Sequence, residues 1–295
     1  MQVYRGMNIG TAKPSAHECE LLPHHLIDIR EPYEQFHAGD FVRLADEACL
    51  QIAGRGKLPV VSGGTGFYLK NFIMGLSEAP PSDSRIREQL EKELHEKGAA
   101  ALMAELSVCD PVSAARIHIN DEYRLARAVE VYRACGLPLS SFKTNSRETR
   151  DERLRAFRFI VVGLSRRREE LYRRINLRCA QMFNQGLAAE VRSLFEMGYT
   201  PDDPGLRAIG YREFFVEAED TDVYNAGKQN KWKLSQDLGG VQALIAQNSR
   251  RYAKRQITFF AGIPNVKWIE AGSDDSETAK MIKDELNKFG GRIVN

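Results

Sequence analysis

Residues Leu58 to Lys70 read L-P-V-V-S-G-G-T-G-F-Y-L-K, and their pattern sets the expected fold class. Pro59 opens a short apolar run, Val60-Val61. The chain then turns at Ser62-Gly63-Gly64-Thr65-Gly66, and apolar residues resume at helical spacing from Phe67. This order predicts a strand, a tight loop and a helix start. In an open α/β sheet such a turn lies at the carboxyl end of a strand, where backbone N–H groups, the Thr65 hydroxyl and a helix N-terminus suit an anionic ligand. An ordinary βα turn, in which glycine only relieves sterics, has the same appearance.

Upstream, Phe36-His37-Ala38-Gly39-Asp40-Phe41 runs into Val42, Leu44, Ala45, Ala48, Cys49 and Ile52 at helical spacing, which leads back to Val60 in a βαβ-like rhythm. His24-His25-Leu26-Ile27-Asp28 sets a short apolar pair between polar residues, and Gln2-Val3-Tyr4 reads as the tail of a strand before the turn-rich Gly6 to Pro14. A strand tail at this point leads us to expect further sequence upstream. From Ser82 the pattern becomes purely helical: Ile86, Leu90 and Leu94 fall four apart and Gly98 closes the stretch. Asp110-Pro111 is an N-cap with a first-turn proline, and Asn120-Asp121 starts a helix closed by Gly136 and Pro138. We expect an α/β core over residues 1–81 and 151–295 and a helical insert over 82–150, with a mobile polar loop from Asn145 to Arg155.

Phe157 to Leu164 is the clearest strand of the second half, and Ser165 is placed to cap a helix ending near Gly186. Along that helix Arg178 falls in register with Leu171, Ile175 and Met182. A guanidinium directed at the core needs a buried carboxylate or a bound anion, and a diphosphate suits its planar fork. Leu187 to Met197 forms a further helix closed by Gly198, followed by Arg207-Ala208-Ile209-Gly210-Tyr211-Arg212. On the last long helix, four of the six residues from Arg250 to Arg255 are cationic, with Tyr252 among them. Cations interleaved with an aromatic suit phosphate contacts and base stacking; a solvated helix face carries such a run as well. Val266 to Ile269 reads as a final strand and Thr278 to Phe289 as a closing helix.

With 295 residues, 43% hydrophobic and 28% charged, the chain can bury a large core. It has no run of eighteen apolar residues and no basic-then-apolar start, so we expect a cytoplasmic protein without a membrane segment. Five cysteines without a C-x-x-C pair indicate neither a disulfide framework nor a zinc site, and no metal ligands are assigned. A net charge of only +2 means that a nucleic-acid partner would be held by a local basic patch.

Taken together, Q-V-Y-R-G-M-N-I-G-T-A-K-P, H-H-L-I-D, G-G-T-G-F-Y, D-P-V-S-A-A-R-I-H, R-L-A-R-A-V-E-V, G-Y-R and A-K-R-Q-I-T occur in an order that resembles the tRNA dimethylallyltransferases, or tRNA isopentenyltransferases, of the bacterial type. The resemblance implies an α/β fold like that of the P-loop kinases, a parallel sheet flanked by helices with a helical insert. It also implies transfer of a dimethylallyl group from dimethylallyl diphosphate to N6 of the adenosine 3′ of the anticodon in a tRNA stem-loop. The base is flipped out to meet the donor, diphosphate leaves and Mg²⁺ takes part; separately, we expect a monomer. Carried onto this chain, Gln2 lies in the segment that reads the adenine. Thr65 and Arg87 match tRNA-contact positions, Thr65 among the catalytic groups, and Arg178 matches the arginine that stabilises the diphosphate. Tyr123, Arg124 and Arg127 fall in a contact segment that ordinarily begins with Gln, where this chain has Tyr123. Arg207, Gly210, Tyr211 and Arg212, and Lys254, Arg255 and Gln256, match two more contact stretches.

The family pattern also includes a first strand, a Walker-type phosphate loop and an Asp-Ser pair ahead of the residues matching Met1-Gln2. These 295 residues contain no G-x-x-x-x-G-K-[ST]; Gly54-Arg55-Gly56-Lys57 is followed by Leu58. The phosphate cradle, the Mg²⁺ hydroxyl ligand and the proposed Asp base are therefore expected upstream. Two other readings follow from the same residues. One is a truncated tRNA-binding protein without chemistry, and the other is a nucleotide-kinase-like phosphotransferase.

Overall fold

The structure, a computed structural model, describes residues 1–143, 157, 159–218, 231–272 and 274–288. The expected loop Asn145 to Arg155 lies outside them. In chain order the helices and strands are α1 (Ala16–Leu21), α2 (Ala38–Gly54), α3 (Gly66–Met74), α4 (Ser84–Cys109), α5 (Pro111–Ala114), α6 (Glu122–Cys135), β1 (Val162–Ser165), α7 (Arg168–Asn184), α8 (Leu187–Glu196), β2 (Phe215–Glu217), β3 (Trp232–Leu234), α9 (Leu238–Ala261), β4 (Lys267–Glu270) and α10 (Asp275–Asn287). The chain divides into two compact units, Met1–Lys70 with Arg158–Asn295, and Asn71–Phe157.

The first unit is α/β. β1 pairs in parallel with β4, from Val162 opposite Lys267 to Ser165 opposite Glu270, and β2 pairs antiparallel with β3. Ser165 is thus a strand residue, its hydroxyl bonded to the Ile269 carbonyl (3.3 Å), and α7 starts three residues later without a side-chain cap. The sequence places a cap residue there, but the pairing with β4 carries the strand through Ser165. Tyr4 forms a parallel bridge with Arg30. Val60 and Val61 do not form the expected strand: they are 75% and 37% exposed, and no described strand pairs with them. A strand exists only through the N–H and C=O groups of its partner, which an apolar run does not reveal.

The core of this unit gathers around α8, whose Leu187, Val191 and Leu194 fall at i, i+4 and i+7 and are all buried with Tyr4, Met7, Leu206, Tyr211 and Ile245. Full burial of each such aliphatic side chain contributes about 2 kcal/mol. α3 docks on α2 through Tyr68, which stacks on Phe41 at 5.2 Å and donates its hydroxyl to the Phe36 carbonyl (2.8 Å). Gly10 meets the Tyr211 ring so closely that a Cβ there would lie 2.4 Å from the ring carbon Cε2. Because Tyr211 is fully buried, it cannot step aside. Gly10→Ala is expected to cost about 3 kcal/mol of stability, read as a lowered urea midpoint at unchanged m-value. A midpoint within error of wild type would show that the ring moves freely.

The second unit is helical. α4 is two arms that break at Gly98 (φ 74°), and Leu90, Leu102 and Leu106 from the arms bury against Leu125 and Val129 of α6. Arg133 on α6 grips both arms, bonding Glu93 (2.8 Å) on one and Glu105 (2.6 Å) on the other. The two carboxylates raise the arginine pKa, and the bond from Arg133 lowers that of Glu93. Asp110, fully buried, caps α5 through the Ser113 N–H (3.0 Å) and holds the Ser140 N–H (2.9 Å). Burial pushes its carboxyl up, yet these bonds outweigh it and leave the net shift downward. Asp121 caps α6, and Gly136 ends it in the left-handed region.

Candidate nucleic-acid interface

The glycine loop is first of all a seat for α9. Tyr252 and Gln256 both donate to the Gly64 carbonyl, at 3.2 and 2.7 Å. A Cβ on Gly64 would fall 2.2 Å from the Gln256 amide nitrogen, and one on Gly66 would fall 2.4 Å from the Phe259 ring. Close backbone approach to a helix is therefore one physical reason for these glycines. Thr65 is exposed beside this seat, its carbonyl accepting the Tyr68 and Leu69 N–H groups of the first α3 turn. Arg251, Lys254 and Arg255 are exposed on α9, with Arg255 over the Tyr252 ring at 5.7 Å. Gln256, half-buried, is engaged by the loop, so its amide holds the seat.

Arg178 is not directed at the core. It is exposed on α7, where the buried positions are Cys179 and Met182. Its register with Leu171 and Ile175 is real, but those two are only partly buried, so the stripe is centred one residue further round the helix. Arg178 makes no ion pair with any described residue and remains an available cation. On the neighbouring wall Arg250 of the basic run is joined by Arg168 and Tyr172, which the sequence did not single out. Arg168 lies over the Tyr172 ring at 5.2 Å and Arg250 lies over it at 6.0 Å, while Arg250 also bonds the Asn176 side chain (2.6 Å). Asn176, Cys179, Gln242, Ala246 and Arg250 line an open cleft of about 430 Å³ between α7 and α9. Burial pushes the Cys179 thiol pKa up, which keeps it protonated and unreactive.

The N-terminal stretch and the Gly-Tyr-Arg stretch are held internally. Gln2 directs its amide N–H₂ at the carbonyls of Thr11 (3.2 Å) and Ala12 (2.8 Å), which leaves its amide oxygen as the group for a base edge. The bidentate adenine contact expected of a free amide is thereby reduced to one acceptor. Tyr211 is buried, its hydroxyl donated to Glu190 (2.7 Å), so its ring makes no surface contact; burial first, then Glu190, push its pKa up. Gly210, in the left-handed region (φ 99°), donates its N–H to Glu213 (2.9 Å), and Asn248 of α9 donates to the same carboxylate (2.8 Å). Arg207 is fastened to the Pro201 and Asp202 carbonyls, whereas Arg212 is largely exposed.

In the helical unit Tyr123 is 68% exposed, with Arg87 over its ring at 5.0 Å. Arg124 projects outward while bonding Asp121 (2.8 Å). Arg127 turns inward instead, to the buried Glu130 (2.8 Å) and the Pro80 carbonyl. Its role here is to compensate a buried carboxylate, because an unpaired Glu130 would be costly.

Among the described residues no three His, Cys, Asp or Glu side chains stand together as a metal site, and no helix is long and apolar enough to cross a membrane. An α/β scaffold bearing exposed arginines interleaved with tyrosines on its long helices defines a protein suited to a phosphate-rich, base-bearing ligand. The chain belongs to the IPP transferase family, whose model matches residues 2–262. It is 43% identical over 283 residues to the tRNA dimethylallyltransferase of Geobacter sulfurreducens, covering 95% of this chain and 85% of that protein. It is 41% identical over 272 residues to tRNA dimethylallyltransferase 2 of Geotalea daltonii, covering 92% and 77%. The full-length tRNA isopentenylpyrophosphate transferase of Bacillus halodurans superposes with a TM-score of 0.60 at 34% identity, over 97% of this chain and 86% of that one.

Proposed function

We propose that this protein modifies tRNA by transferring a dimethylallyl group from dimethylallyl diphosphate to the exocyclic N6 of the adenosine 3′ of the anticodon, in the bacterial cytoplasm. The observation that carries this reading, beside family membership, is the exposed cation and aromatic surface of α7 and α9. In the reaction the N6 lone pair forms a bond to the allylic C1 as the C1–O bond breaks, diphosphate carries away the electron pair, and N6 releases a proton. Alignment of a weak amine and neutralisation of the leaving group are what the protein must supply. Arg178, exposed and without a described ion-pair partner, is the cation for the diphosphate. Thr65 is a hydroxyl beside the helix start, Gln2 offers an amide oxygen to the adenine N6, and Arg251, Lys254, Arg255, Arg87 and Arg124 meet phosphates. The described residues do not form a carboxylate cage fitted to Mg²⁺, and no step is assigned to a metal.

The test is a transfer assay with radiolabelled dimethylallyl diphosphate and an anticodon stem-loop. Label on the stem-loop supports the reading; tight, salt-sensitive binding without label reduces it to tRNA binding alone. Replacing Arg251 and Lys254 together by Ala is expected to weaken stem-loop binding and to flatten its log–log salt slope by about 1 per lost phosphate contact. An unchanged slope returns this run to a solvated helix face.

A further inference from the structure

Glu190 belongs to none of the segments assigned above to substrate, yet it organises one of them. Its carboxylate accepts the backbone N–H groups of Asn8 (3.0 Å), Ile9 (2.9 Å) and Gly10 (3.4 Å), and the Tyr211 hydroxyl (2.7 Å). Three successive N–H groups curved around one carboxylate make a nest, an anion cradle filled by the protein's own side chain. The curvature returns the Thr11 hydroxyl to the Met7 carbonyl (2.6 Å) and presents the Thr11 and Ala12 carbonyls to Gln2 Nε2. Lys13 closes the far end, bonding the Tyr4 carbonyl (2.7 Å) and the Asp28 carboxylate. Those two carbonyls can bond only the N–H₂ end of the Gln2 amide, so they decide which way its oxygen faces. Glu190 is therefore the anchor, and the Gln2 oxygen is what the anchor aims.

We propose that Glu190 is a positioning residue for prenyl transfer, holding the Asn8–Gly10 nest so that the Gln2 amide oxygen is directed at the substrate base. The inference rests on the tRNA-prenylation reading. A carboxylate is required because a glutamine would turn an N–H₂ group toward N–H donors at one of its two positions, and aspartate is one methylene shorter.

The experiment compares wild type with Glu190→Gln and Glu190→Asp in two readouts. In the first, hydrogen exchange by NMR, Glu190→Gln is expected to speed exchange at the Asn8, Ile9 and Gly10 amides and at the Gln2 side-chain amide. In the second, transfer to a stem-loop, kcat is expected to fall on the order of 100-fold, the scale of an ångström's misalignment, with KM for dimethylallyl diphosphate unchanged. Glu190→Asp, which keeps the charge, recovers part of both. Faster exchange with a wild-type kcat overturns the positioning role, and unchanged exchange overturns the nest itself. If wild type transfers nothing, the function reading fails and the role in transfer falls with it; Gln2 side-chain exchange then tests the nest alone, which exchange insensitive to Glu190 overturns and exchange released by Glu190→Gln upholds. If Glu190→Gln does not fold, the same comparison is made with Glu190→Asp, for which unchanged exchange and kcat together overturn it.

Discussion

Arg178→Ala is expected to lower the single-turnover rate of dimethylallyl transfer by roughly 10²–10³-fold, the usual cost of removing one preorganised group that stabilises developing negative charge. Stem-loop affinity is expected to hold. The exposure of Arg178 sharpens this experiment. A guanidinium buried in the stripe would, when removed, leave a cavity and an orphaned partner, and lost activity would be confounded with lost stability. On the surface, without a described ion-pair partner, the truncation is expected to change stability by less than about 0.5 kcal/mol. Arg178→Lys, which keeps the charge but not the planar fork, is expected to recover part of the rate. Near-normal transfer by Arg178→Ala would remove Arg178 from the diphosphate.

Glu130→Ala is expected to destabilise the helical unit by about 3 kcal/mol, as breaking a buried ion pair from one side does. Glu130 is 1% exposed and accepts from the Ser82 hydroxyl, the Asp83 N–H (2.8 Å) and Arg127 (2.8 Å). Ser82 in turn receives Arg87 (3.2 Å), the residue that lies over exposed Tyr123, and Asp83 caps α4. The change would therefore free Arg87 as well as Arg127, and weaker stem-loop binding is expected to accompany the lost stability. Burial pushes the Glu130 carboxyl up, but the bonds from Ser82 and Arg127 outweigh it and hold the net pKa below its ordinary 4.5. A depressed folded-state pKa gives stability that is present above 4.5 and lost as pH falls through the folded value. The stability gap between wild type and Glu130→Gln is thus expected to be widest above that pH and to narrow in acid, as measured by denaturant unfolding. A gap that widened in acid would mean that Glu130 folds in its neutral form.

The same rule about a charge in an apolar stripe applies to two helices with opposite outcomes. Arg178 shares register with Leu171, Ile175 and Met182, yet it is exposed because burial on α7 is centred on Cys179 and Met182. Glu190 shares register with Leu187, Val191 and Leu194, and there the helix face does turn inward, onto the Asn8–Gly10 N–H groups. Heptad-like spacing identifies a face only to within about one residue, roughly 100° of helix rotation, and which side is covered depends on what packs there. The glycine loop shows a related limit. Its tight turn and helix start are legible in Ser62 to Phe67, but the approach of Gln256 and Phe259, nearly two hundred residues away in sequence, is not.

The sequence by itself determined most starts and stops of the second unit's helices, because these are local chemistry: Asp110 with Pro111, Asp121 and Gly136 act within one turn, whereas Gly98, read as a helix end, is a kink after which α4 runs on to Cys109. It determined the family as well, through several short motifs kept in order. Tertiary structure alone decided which side chains are available. Gln2, Arg127, Tyr211 and Gln256 all belong to motif segments, yet each turns its polar group to an internal partner, while Arg178, Tyr123 and Lys254 face outward. Hydrogen-bond partners such as Glu190 and the Gly64 carbonyl come from distant parts of the chain. Burial and pairing are properties of the packed whole, and local spacing carries no record of them.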